Sequence, residues 1–112
     1  MSEYLVVLSK PVPGRDEEFN NWYTERHLGD VLALDGFVAA RRFRFIPSRL
    51  TRQEPPAYMA IYEVAEGQRE LAERSLLAAL RGQGEDGMEL SDALDPELIT
   101  WWYEAITPRV ET

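Results

Sequence analysis

Three strand-like segments of this chain have no wholly polar side. Residues 3–9 carry Tyr4, Leu5, Val6, Val7 and Leu8 in succession, apolar on both alternating faces. Residues 57–64 put Tyr58, Ala60, Tyr62 and Val64 on one face and Met59, Ile61 and Glu63 on the other. Residues 98–106 set Ile99, Trp101 and Tyr103 against Leu98, Trp102 and Glu104, so an indole points each way. A sheet built from such strands must be covered on both sides or leave an aromatic face in water.

The helices are too few to do this alone. Residues 15–34 read as a helix: Asp16, Glu17 and Glu18 suit its first turn, and Phe19, Trp22, Tyr23 and Arg26 follow helical spacing. Gly29 is expected to break or kink it, leaving His27, Leu28, Gly29 and Asp30 at the break. A second helix spans Gly67 to Arg81, with Leu71, Leu76, Leu77 and Leu80 as its apolar stripe and Ala72, Ala78 and Ala79 beside it. Between them, residues 37–46 alternate as a strand, Phe37, Ala39, Arg41, Phe43 and Phe45 on one face and Val38, Ala40, Arg42, Arg44 and Ile46 on the other. Residues 47–56 form a polar loop, and the acidic, glycine-containing stretch 82–97 joins the second helix to the last strand.

The order is β-α-β-β-α-β. Two split βαβ units in 112 residues predict one α+β domain of the ferredoxin-like type: a four-stranded antiparallel sheet with two helices on one face. The uncovered face then calls for a homodimer, in which a two-fold copy presents the same face and the sheets enclose a barrel-like core. The competing reading is a monomer whose open face is a ligand groove.

Composition excludes several partners. Twenty acidic against twelve basic residues give a formal net charge of -8, a field that repels nucleic acid and anionic membranes. The absence of cysteine removes disulfides, thiolate catalysis and cysteine metal sites. The Met-Ser-Glu-Tyr start lacks a signal-peptide pattern and no run nears the roughly 20 apolar residues of a membrane span, so a cytoplasmic location is expected. Around 84–95, the spacing Glu85-Asp86-Gly87-Met88-Glu89 does not match a calcium loop, and a solvated surface loop is the reading.

The run Phe19-Asn20-Asn21-Trp22-Tyr23-Thr24-Glu25-Arg26-His27-Leu28, then Val31-Leu32, then Gly36-Phe37-Val38-Ala39-Ala40-Arg41-Arg42-Phe43, resembles the EthD-like branch of the dimeric α+β barrel superfamily. There an aromatic pair on a helix precedes a histidine, an apolar turn and a Gly-Phe pair leading into a strand. Relatives often carry proline two residues after the histidine, where this chain has Gly29. The resemblance implies the dimeric barrel fold and a small apolar or aromatic ligand. It leaves open a cofactor-independent enzyme of cyclase, isomerase or monooxygenase type, a non-catalytic binding or stress-response module, and a haem protein. No cofactor is expected.

His27 is the only histidine, and Tyr23 lies one helical turn before it. Together they suit proton transfer at a substrate oxygen, the imidazole as acid/base and the phenol as donor to a developing enolate. The alternative is a histidine that caps the helix C-terminus as a cation. Trp22 belongs with Phe19 in a packing stripe. Tyr62, Trp101 and Tyr103 line either an aromatic ligand cavity or a dimer interface. Arg41, among apolar neighbours on its strand face, binds a ligand anion or forms an ion pair with Glu63 or a partner carboxylate.

Overall fold

The computed structural model describes residues 1–82 and 88–112. The strands are β1 (Glu3–Ser9), β2 (Phe37–Arg44), β3 (Tyr58–Val64) and β4 (Ile99–Glu104). The first helical run consists of α1 (Asp16–Trp22), a π-helical turn (Tyr23–His27) and α2 (Leu28–Leu32), and the second is α3 (Arg69–Arg81). The sheet is antiparallel in the order β2-β3-β1-β4, as a ferredoxin-like fold requires. The calcium-loop spacing at 85–89 lies in part outside the described residues.

Register assigns the two faces, because directly opposed residues point the same way. Ala40, Tyr62, Leu5 and Trp102 form one row across the sheet; Arg42, Ala60, Val7 and Thr100 form the next. These rows lie under the helices, where Leu5, Ala60, Tyr62 and Val64 join Phe19, Tyr23, Val31 and Ala72 in the core. The opposite face carries Ala39, Glu63, Tyr4 and Tyr103, then Arg41, Ile61, Val6 and Trp101, then Phe43, Met59, Leu8 and Ile99. No described element covers it: Trp101 is 50% and Tyr103 56% exposed.

Three local expectations are corrected. The alternation of β2 does not begin at Phe37. A register irregularity between Phe37 and Ala39 turns Phe37 into the core, on the side opposite Ala39 and Arg41. Gly29 does not break the first helical run; it sits inside α2. The irregularity comes earlier, where the Leu28 N–H donates to the Tyr23 carbonyl, one residue further back than an α-helix reaches.

The leucine stripe of α3 is not its closest contact with the fold. Ala72 and Ala79 are buried, while Leu77 and Leu80 remain 42% and 45% exposed. The reason is Gly36, in the turn between α2 and β2. Its φ is +92°, and a Cβ there would stand 2.9 Å from the Ala72 Cβ and 3.1 Å from the Gln68 carbonyl oxygen. Glycine and alanine let the N-terminal part of α3 approach this turn. Gly67 also has positive φ, but among the described residues nothing lies within 4 Å of a Cβ added there.

Gly36→Ala is therefore expected to destabilise the fold by about 2 kcal/mol or more, combining left-handed backbone strain with a steric clash. Gly67→Ala carries the left-handed backbone penalty alone, about 1–2 kcal/mol. Urea denaturation of the two variants checks the ranking.

Candidate functional site

The π turn places Tyr23 and His27 on the inner side of the first helical run, and both are buried. Phe19, wholly buried, packs edge-on to the Tyr23 ring at 5.6 Å. Trp22 stacks on the imidazole of His27 at 4.6 Å, and Tyr23 meets that imidazole edge-on at 4.8 Å. Trp22 thus forms a wall for the histidine as well as part of the packing stripe.

From the sheet, the Tyr62 hydroxyl on β3 is hydrogen-bonded to the Tyr23 hydroxyl at 3.0 Å. Arg42 on β2 lies with its guanidinium 4.5 Å above the Tyr23 ring centre, a cation–π contact. That group is braced by hydrogen bonds it donates to Thr24 Oγ1 at 2.8 Å and Asn20 Oδ1 at 2.9 Å. Among the described residues no carboxylate pairs with it.

Tyr23, His27 and Tyr62 share the wall of a cavity of about 250 Å³ between α3 and the sheet. Leu5, Val7, Val31 and the α3 leucines Leu76, Leu77 and Leu80 supply its apolar surface; Leu90, Leu94 and Leu98 close one side. Glu73 adds a carboxylate to the lining, accepting from Trp102 Nε1 at 3.2 Å and paired with Arg69 at 3.4 Å.

Burial governs the protonation states. Desolvation pushes the His27 imidazole down to about 4, opposed by the Asp30 carboxylate and aided by the Arg42 charge. His27 is therefore neutral near pH 7. Its Nδ1 is buried with no hydrogen-bond partner. Burial also pushes the Tyr23 phenol up, with the Tyr62 hydrogen bond and Arg42 pulling it back. Tyr62 is raised further, by burial first and then by Tyr23. The reading of His27 as a cationic helix cap is overturned: the chain continues as α2 beyond it, and the ring is uncharged.

The structure brings together Tyr23, His27 and Tyr62; Trp101, on the edge strand β4, borders the same cavity although register places it on the open face. Arg41 and Tyr103 lie on the open face, away from it. Arg41 forms no ion pair with Glu63 among the described residues. Arg42 and Glu73 escaped the sequence reading. Arg42 was legible as a charge on the face opposite Arg41, but only knowledge of which face the helices cover singles it out. Among the described residues no cluster of three or more His, Asp or Glu side chains could hold a metal ion.

A direct test of this burial is the pH dependence of stability. The folded-state value of His27 lies below its unfolded value near 6.5, so the unfolded chain binds the extra proton between the two. The stability is fully present above about pH 6.5 and is lost as pH falls towards about 4, by on the order of 3 kcal/mol. His27→Phe should abolish this part of the acid sensitivity. Proton NMR should show the imidazole of the native protein still neutral at about pH 5.5.

No family model matches the sequence, and no curated protein matches it. Among solved structures, the chain is similar to the crystal structure of an ethyl tert-butyl ether D (EthD) family protein from Bacillus halodurans C-125. The two share 14% identity with a TM-score of 0.56, over 95% of this chain and 100% of that one. No helix among the described residues is long and apolar enough to cross a membrane. With its βαββαβ order, antiparallel sheet and this neighbour, the chain has an EthD-like α+β fold.

Proposed function

We propose that the cavity takes a small, uncharged, largely apolar molecule of one or two rings, and that His27 and Tyr23 act on an enolisable carbonyl or related oxygen it carries. The observation that carries this reading is a buried, neutral imidazole with an unpartnered nitrogen beside a phenol, at the wall of an apolar cavity. A cavity of about 150 Å³ accommodates benzene, so one of about 250 Å³ suits a slightly larger skeleton. In the reaction, His27 takes a proton from the carbon next to the carbonyl. The C–H electron pair moves into the C–C bond, the carbonyl π pair moves to oxygen, and the Tyr23 O–H supports the developing enolate. Return of the proton from the imidazolium completes the cycle without a cofactor.

One observation favours a second reading. An imidazole pushed down to about 4 is a weak base, and a binding module would use the same cavity with no proton transfer. 2-Tetralone, a bicyclic enolisable ketone, separates the two. For the enzyme, its α-hydrogens exchange in D2O at least about tenfold faster with the protein than without, and His27→Ala removes the gain. Binding seen by tryptophan fluorescence without faster exchange leaves the binding module. Absence of binding defeats both.

We further propose that the open sheet face is covered by a second copy of the chain. Tyr4, Val6, Leu8, Phe43, Met59, Ile61, Ile99, Trp101 and Tyr103 share that face, and soluble chains rarely leave such a patch in water. Its two charges are opposite in sign and sit on adjoining rows, so a two-fold arrangement can set Arg41 against the partner's Glu63. Sedimentation at about 50 μM should give a dimer for the native chain and a monomer for Trp101→Glu, which buries an unpaired charge in the interface. A native monomer at that concentration refutes the dimer.

A further inference from the structure

Two phenols meet at the wall of the cavity, and their contact leaves one hydrogen uncommitted. Each hydroxyl has a single hydrogen, and only one can lie in the 3.0 Å gap between Tyr62 and Tyr23. The contact admits either hydroxyl as donor; with Tyr62 as the donor, the Tyr23 O–H has no acceptor among the described residues, although Tyr23 is only 3% exposed. A buried donor without a partner is unfavourable, and the cavity is where an acceptor can arrive.

We propose that Tyr62 is a positioning residue: by donating to the Tyr23 oxygen it turns the Tyr23 hydrogen into the cavity, and so selects ligands with an acceptor oxygen on a one- or two-ring apolar skeleton. This rests on the cavity reading above and adds to it the residue that orients the donor. The placement of Tyr62 suits the task. It sits on a central strand between Ala40 and Leu5, is 1% exposed and packs edge-on to Phe37 at 6.0 Å, so its ring is held firmly. Arg42 completes the arrangement. Its charge lies over the Tyr23 ring, so negative charge building up as Tyr23 shares its hydrogen is met by a cation on one side and the Tyr62 hydroxyl on the other. In such a chain each hydrogen bond strengthens the next.

The test compares 2-tetralone with tetralin, which has the same two-ring skeleton and no oxygen. The readouts are the ratio of their affinities and the carbonyl stretching frequency of bound 2-tetralone. In the native protein the carbonyl band should lie below its position in an apolar solvent. Tyr62→Phe should lower the ketone-over-hydrocarbon preference about three- to tenfold and move the band upward, with tetralin affinity within about twofold of native. Tyr23→Phe should remove the preference altogether. An unchanged ratio and band in Tyr62→Phe overturn the role of Tyr62 and leave the cavity reading standing. Failure of the native protein to bind either compound overturns both. Should Tyr62→Phe lose tetralin, and so its cavity, Tyr62→Met, similar in volume and without a hydroxyl, is held to the same two readouts.

Discussion

The hydroxyl contact between Tyr62 and Tyr23 joins the middle of the sheet to the first helical run. Much of the molecule is arranged around it. On the sheet side, Tyr62 lies in a row with Ala40, Leu5 and Trp102, so its position is fixed by pairing with both neighbouring strands. On the helix side, Phe19 and Trp22 hold the Tyr23 ring edge-on, and Arg42 reaches up from β2 to lie over it. One wall of the cavity is therefore built from aromatic rings locked by mutual packing.

The opposite wall has a different character. α3 is drawn in where Ala72 meets Gly36, a contact that tolerates no larger side chain. Further along, its leucines border a gap of about 250 Å³ and do not fill it. The gap opens partly to solvent, since Leu77, Leu80, Leu90 and Leu98 along it are each more than 40% exposed, so the apolar side chains that line it lack packing partners on one side. The gap is where this fold departs from an ideal core, and such departures are where function is most often found.

The electrostatics of the cavity differ from those of the surface. The chain as a whole is strongly acidic, with a formal net charge of -8. At the Tyr23 pole, burial keeps the histidine uncharged and both phenols protonated. The Arg42 cation is engaged by the rings and by Asn20 and Thr24. The carboxylate at the lining, Glu73, is held by Trp102 and Arg69. A neutral ligand meets no penalty there, whereas an anion would face the acidic surface field and the loss of its hydration together. The EthD-like fold does not supply this chemistry, since one fold hosts many activities; it follows from the residues of this chain.

The sequence by itself determined the α+β class, the order of the elements and the facing of β3 and β4. Alternation with a period of two is a local property, and side chains on a strand must obey it. It also singled out Tyr23 and His27, because helical spacing puts them on one side of a helix. Other features were decided only in three dimensions. The irregularity that turns Phe37 inward depends on pairing with β3. The π turn depends on one backbone hydrogen bond that residue types do not announce. Arg41 and Arg42 are neighbours with identical side chains, yet one lies on the open face and the other under the helices, over Tyr23. Which side the helices cover is set by how segments distant in sequence pack. That packing alone brought Tyr62 to Tyr23, left the gap beneath α3, and made a lone histidine a neutral, buried group.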